Sequence, residues 1–323
     1  MANQTYVITN RIRKNGTYGE DPEPRGVLHY LVAPGSYNKN RGQFQEISLD
    51  AFRDQLLDAL KAMVKNGKNA QAAIYIHGYN NNFQDALEEL NEIGTNLSGV
   101  GYDGLVIGFS WPSEGKTLEY LEDRDDARES VTGFVHVMHL IKSVRMPAEK
   151  CFVDVSMLAH SMGNYVLREG LDYFWKHVGY PWDDIYFAQT LMFAADIAYD
   201  SLKSGGSGQA ISSFSHRLTF YYSIHDDVLG LSTSVKHFGS RRLGRSGPES
   251  YDDLPENVVG VDSSKVANPD NAEKFKADGV HSSYRVIPDI LKDFVATMSG
   301  QDRAAIPNRT EIPGTKRKGF TLG

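Results

Sequence analysis

An apolar run at 152–158 passes without a gap into Ala159-His160-Ser161-Met162-Gly163, and then into Asn164-Tyr165-Val166-Leu167-Arg168-Glu169-Gly170-Leu171, which reads as a helix. Strand, tight turn and helix joined this closely make one βα step, and such steps build parallel sheets. Other short runs rich in Val, Ile, Tyr and Phe lie at 6–8, 27–32, 72–76, 105–109, 185–194, 218–224 and 258–261. Helical spacing marks 51–64, 83–97, a long segment at about 118–143, and 284–298. Runs that are apolar almost throughout, as at 72–76 and 152–158, suit strands covered on both faces. The pattern predicts an α/β fold with a mostly parallel central sheet of about eight strands and helices on both faces. The first two strands, with no clear helix between them, are expected as an antiparallel edge.

At 323 residues with 41% apolar side chains, the chain can fill a two-sided core as one unit. We expect a single domain over 1–299, with loop insertions near 201–215 and 236–257 and an irregular stretch at 10–25. The Pro-, Gly- and Lys-rich segment 300–323 reads as a flexible C-terminal tail. No internal repeat is present.

The single cysteine, Cys151, has no partner for a disulfide and is expected as a small buried strand residue. The N-terminus lacks the basic segment and apolar core of a signal peptide, and no apolar run approaches the length needed to cross a bilayer, so the expected location is cytoplasmic. A net charge of −7 argues against a nucleic-acid partner, because phosphate binding needs a concentrated positive surface. Neither a zinc-type ligand spacing nor a phosphate-binding glycine loop occurs, so no metal and no cofactor is implied.

The chemistry centres on Ser161. A nucleophilic serine on a strand-to-helix turn needs small residues two before and two after it, the usual form being G-x-S-x-G. Ala159 and Gly163 meet that requirement. The competing reading, a serine that only caps a helix, also fits the position. An oxyanion hole needs two backbone N–H groups. Met162 supplies one, and Tyr79, after the strand that ends in His77-Gly78, supplies the other. His77 itself reads as a buried histidine tying down its own loop.

Acid and base should follow the serine in the order Asp, then His. His281, in Asp278-Gly279-Val280-His281, stands just before the last helix and is the candidate base. Asp226, after the 218–224 run, is the preferred acid, with Asp196 and Asp227 as alternatives. Asp196, Phe109 and Trp111, at predicted strand ends, are candidates for lining a substrate site.

The sequence resembles a bacterial α/β-hydrolase family of undetermined function that combines a His-Gly-Tyr-Asn loop with an Ala-His-Ser-Met-Gly-Asn elbow. The likeness includes Val7-Ile8-Thr9-Asn10-Arg11, His77 to Asn80, Phe109-Ser110-Trp111-Pro112-Ser113, Ala159 to Asn164, Ser223-Ile224-His225-Asp226, Arg242-Leu243-Gly244, and Val261-Asp262 followed by His281. Members are similar to serine esterases and lipases. The resemblance implies Ser161 as nucleophile, Asp226 as acid and His281 as base, and supplies no substrate; the three residues, with Tyr79, Phe109 and Trp111 at predicted strand ends, point to a small-molecule acyl or ester substrate. Acyl transfer by the same three residues, and a catalytically silent binding or scaffold protein, are the alternatives at this point.

Overall fold

A computed structural model describes residues 4–34, 44–113, 120–145, 153–179, 186–231 and 240–323. Cys151 and residues 236–239 of the second expected insertion lie outside them. The strands of the first half are β1 (Gln4–Thr9), β2 (Arg11–Lys14), β3 (Thr17–Pro22), β4 (His29–Pro34), β5 (Gln45–Ile47), β6 (Gln71–Ile76) and β7 (Leu105–Ser110). Those of the second are β8 (Asp154–His160), β9 (Phe187–Phe193), β10 (Ser215–Tyr222), β11 (Val258–Asp262), β12 (Arg309–Glu311) and β13 (Gly319–Leu322).

The helices are α1 (Leu49–Lys65), α2 (Phe83–Gly99), α3 (Tyr120–Glu129), α4 (Val131–Arg145), α5 (Gly163–His177) and α6 (Gln209–Ser213). After them come α7 (Asp227–Leu231), α8 (Leu243–Ser246), α9 (Pro269–Lys274), α10 (Gly279–Ser282) and α11 (Pro288–Met298). The long helix expected at about 118–143 is, over the described residues, two helices that meet at Ser130, whose N–H and hydroxyl both donate to the Asp126 carbonyl, at 2.8 and 2.7 Å.

Among the described residues, eleven strands form one sheet in the order β12-β13-β11-β10-β9-β8-β6-β7-β1-β4-β5. From β13 to β1 every neighbour is parallel. Antiparallel pairs lie only toward the edges, β1 with β4, β4 with β5 and β12 with β13. The eight apolar runs correspond to eight of these strands, and the count rises because β5, β12 and β13 are too short for periodicity to register.

Both faces are buried, as the runs required. Along β6, Ala72, Ile74 and Ile76 join one core with Phe52 of α1, Phe134 of α4 and Val166 of α5. Ala73 and Tyr75 join the other, with Leu90 and Ile93 of α2 and Phe294 of α11. The period of two therefore divides one strand between two cores.

Two stretches differ from expectation. Residues 10–25 hold the hairpin of β2 and β3, turned by Asn15 (φ 54°) and Gly16 (φ 81°), a pair of left-handed residues that suits a tight hairpin. The expected tail extends the sheet: β13 pairs with β11, β12 pairs with β13, and Ile306, Phe320 and Leu322 are buried. Arg309 also bonds Asp293 of α11 at 2.6 and 2.7 Å, which fastens the segment to the domain. Its loose composition misleads because its partners lie far away in the chain.

Candidate active site

Parallel strands bring all their carboxyl ends to one edge of the sheet, where open α/β sheets bind ligands. At that edge β8 ends in His160 and α5 starts at Gly163, leaving Ser161 in the left-handed region at φ 53°. A non-glycine residue there is strained and needs its surroundings to hold it. They do so through the backbone: Ser161 donates its N–H to Phe193 O at 3.1 Å, and its carbonyl accepts from Asp196 N at 3.2 Å. Asn164 Nδ2 adds bonds to Ala159 O (3.0 Å) and Ser161 O (3.1 Å).

Glycine at 163 is a packing requirement. A Cβ there would sit 2.6 Å from the carbonyl oxygens of both Ile76 and His77. Gly78 plays the matching part on the neighbouring loop, where a Cβ would lie 3.0 Å from Ser161 Cβ and 3.5 Å from its Oγ. These two glycines bring the loop after β6 against the serine, with Met162 buried and Tyr79 packed on the core at its side.

That loop is built from residues of four segments. His77 Nδ1 donates to Gly78 O at 2.7 Å, so the loop-anchoring role expected of this histidine matches its geometry. Trp111 Nε1 donates to His77 O at 2.9 Å, and the two rings stack at 5.4 Å. Burial, and next the charge of Arg11, push the His77 pKa down to about 4, so the ring is neutral at physiological pH.

Arg11, part of the family likeness but given no role in the sequence, is fully buried. Its guanidinium donates to Asn81 O (2.7 Å), Ser110 Oγ (3.0 Å), Ser113 O (3.2 Å) and Gly19 O (3.2 Å). It thus ties the loops after β6 and β7 to the hairpin. The available signal was slight, an Arg two residues past β1 with Arg13 and Lys14 close behind it.

Phe109 and Trp111 do not line an open site. Both are 0% exposed, Phe109 with its ring edge-on to Phe134 and Trp111 beneath His77. Strand-end position suggested a lining role, but α4 covers Phe109 and the loop after β6 covers Trp111.

The three candidate aspartates are separated by their partners. Asp226, after β10, is fully buried; its Oδ2 lies 2.8 Å from His281 Nδ1 and its Oδ1 accepts the Leu229 N–H at 3.0 Å. Asp227 is 91% exposed and faces Arg245 at 3.2 Å. Asp196, after β9, is buried against Arg242 at 3.1 Å. Arg242 is carried there by α8, whose Gly244 would place a Cβ 2.1 Å from Ala195 N.

His281 sits in α10, nearly buried. Since a carboxylate only accepts, Nδ1 carries the proton and Nε2 keeps the lone pair in the neutral ring. Burial alone would lower its pKa, but the charge and hydrogen bond of Asp226, helped by Asp196, outweigh it and raise the value above 6.5. Among the described residues no cluster of three or more His, Cys, Asp or Glu could hold a metal ion, and no helix is long and apolar enough to cross a membrane.

A largely parallel sheet covered by helices on both faces, with a left-handed serine between β8 and its helix, is the α/β-hydrolase fold. The chain belongs to the family described as alpha/beta hydrolase of unknown function (DUF900), whose model matches residues 53–284. It is also similar to the uncharacterized protein alr1448 of Nostoc sp., 27% identical over 206 residues. That alignment covers 52% of this chain and 50% of the Nostoc protein, so the chain spans about half the length of this relative. Among solved structures, an esterase of Pyrobaculum calidifontis aligns with 80% of this chain and 95% of its own, at 10% identity and a TM-score of 0.36.

Proposed function

We propose that the protein is a serine hydrolase that cleaves a carboxylic ester through an acyl-enzyme on Ser161, with His281 as general base and Asp226 as the acid that orients it. The observation that supports this reading best is the 2.8 Å contact between His281 Nδ1 and the buried Asp226, with the His281 carbonyl 3.0 Å from Nε2 of His160, the residue before the strained serine.

In this mechanism Ser161 Oγ attacks the ester carbonyl while His281 Nε2 takes its proton. The backbone N–H groups of Met162 and Tyr79 stabilise the oxyanion of the tetrahedral intermediate. Collapse breaks the bond to the alcohol oxygen, which leaves with the proton from His281. Water then attacks the acyl-enzyme, again losing its proton to His281, and the carboxylic acid departs as Ser161 recovers its hydrogen. Asp226 keeps Nδ1 protonated throughout, so that Nε2 always faces the reaction.

Steady-state hydrolysis of p-nitrophenyl acetate and butyrate tests the reading. Native protein should turn these esters over, and Ser161→Ala should lose on the order of 10⁴-fold or more in kcat. Equal rates in the two folded proteins would overturn it. Because His281 must be neutral to accept a proton, kcat/KM should rise with pH through a midpoint above 6.5.

A further inference from the structure

The residue before the serine, His160, is 3% exposed. Its Nε2 lies 3.0 Å from the backbone carbonyl of His281, and the two imidazole rings are 5.0 Å apart. Its other nitrogen, Nδ1, lies 3.5 Å from Arg285 Nη1 and 4.0 Å from Glu89. The tautomer follows from the partners. A carbonyl can only accept and a guanidinium can only donate, so the proton is on Nε2 and the lone pair on Nδ1.

Arg285 is itself fixed, by Glu89 at 2.9 Å and Glu92 at 2.8 Å, both on α2. Tyr75 donates to Glu89 at 2.8 Å, and Asn96 of α2 donates to the Arg285 carbonyl at 2.8 Å. The segment carrying His281 is therefore held at two carbonyls, those of residues 281 and 285, by the elbow and by α2 respectively.

We propose that His160 is a positioning residue: by donating Nε2–H to the main-chain carbonyl of His281, it locks the base to the same turn that presents the nucleophile. Serine and base then move as one unit, although 120 residues separate them in the chain. The inference rests on the triad reading above. His160 suits the task because its donor does not titrate in the working range. Burial, and next the neighbouring His281, push its pKa down to about 3, against the pull of Glu89. Around it stand His281 of α10, Arg285 beyond α10, and Glu89 from α2, with Phe193 of β9 stacked on the ring at 5.4 Å.

Three variants separate positioning from packing. His160→Phe keeps the ring and removes the donor. His160→Gln places an amide N–H where Nε2 stood, and His160→Asn places one only as far as Nδ1, toward Arg285. With folding checked by thermal melts, kcat, KM and the pH profile are measured for each. His160→Phe and His160→Asn should lower kcat by roughly 10²-fold with KM within about two-fold, the scale for a misplaced catalytic group. Their acid limb should move to lower pH as His281 loosens from Asp226, and His160→Gln should restore both.

A readout independent of turnover is the downfield proton NMR signal of His281 Nδ1–H, retained in His160→Gln and weakened or shifted upfield in the other two. Should the native protein hydrolyse no ester, the triad reading fails while this signal still decides the role of His160. Equal losses in His160→Gln and His160→Asn, losses confined to KM, or an unchanged signal in His160→Phe would overturn the proposal.

Discussion

The ends of β9 and β10 make an instructive pair. Each carries a buried aspartate beside the elbow, Asp196 after one strand and Asp226 after the next, yet Asp196 meets a guanidinium and Asp226 an imidazole. A guanidinium keeps its charge at any physiological pH, so the Asp196–Arg242 pair is a fixed, buried ion pair. An imidazole titrates, so the Asp226–His281 pair can gain and lose a proton. Place in the fold makes both residues candidates, and the partner distinguishes them.

The largest expected effect that sharpens this contrast is on rate. Asp226→Asn should leave the fold in place but lower kcat by about 10⁴-fold, since an amide can donate to Nδ1 and so select the wrong tautomer. Its remaining activity should titrate lower than native, because the carboxylate that raises the His281 pKa is gone. Asp196→Asn should instead show its main effect in urea melts. It leaves Arg242 without its buried counter-charge, at a cost of about 3–5 kcal/mol, while kcat falls less than about ten-fold. A reversal of these two phenotypes would break the comparison and assign the acid to Asp196.

A smaller effect tests the neutral histidines. The folded-state pKa values of His77 and His160, about 4 and about 3, are depressed below 6.5, so below that pH the unfolded chain takes up protons that the folded protein refuses. Stability should therefore fall as pH drops from 6.5, by about 2 kcal/mol for each ring at pH 5. His281 works the other way: its raised pKa favours the folded state below 6.5, and that contribution is lost as pH rises through the folded value. Urea melts at pH 7 and pH 5 should show a shallower loss in His160→Gln, which has one fewer refused proton. Smallest of all is Asp227→Asn, at a side chain 91% exposed, where stability should change by less than about 0.5 kcal/mol and kcat should hold.

Much of this site was legible in the sequence because its requirements are local. Ser161 had to follow a strand and precede a helix, and Gly163 had to be small because another strand's carbonyls lie where its side chain would be. Chain order admits both Asp196 and Asp226; the preference for Asp226 came from its place after the 218–224 run and from the family resemblance, and the structure places Asp226 against His281. What escaped depends on distant partners. Arg11 gains meaning only from Asn81 and Ser113, and β13 only from β11. The hairpin at 10–25 was within reach, since Asn15-Gly16 is a strong turn signal, but the polar strands beside it lack the apolar alternation that marks a strand. Phe109 and Trp111 illustrate the opposite error, because an aromatic at a strand end looks the same in sequence whether a helix or loop covers it or not.

The most direct test of the central claim is covalent labelling of Ser161. Folded protein treated with a fluorophosphonate at pH 8 should gain one adduct per chain, mapped by peptide mass spectrometry to Ser161 and absent from Ser161→Ala. No adduct on the native protein, or an adduct on another serine that survives in Ser161→Ala, would contradict the assignment of Ser161 as the nucleophile.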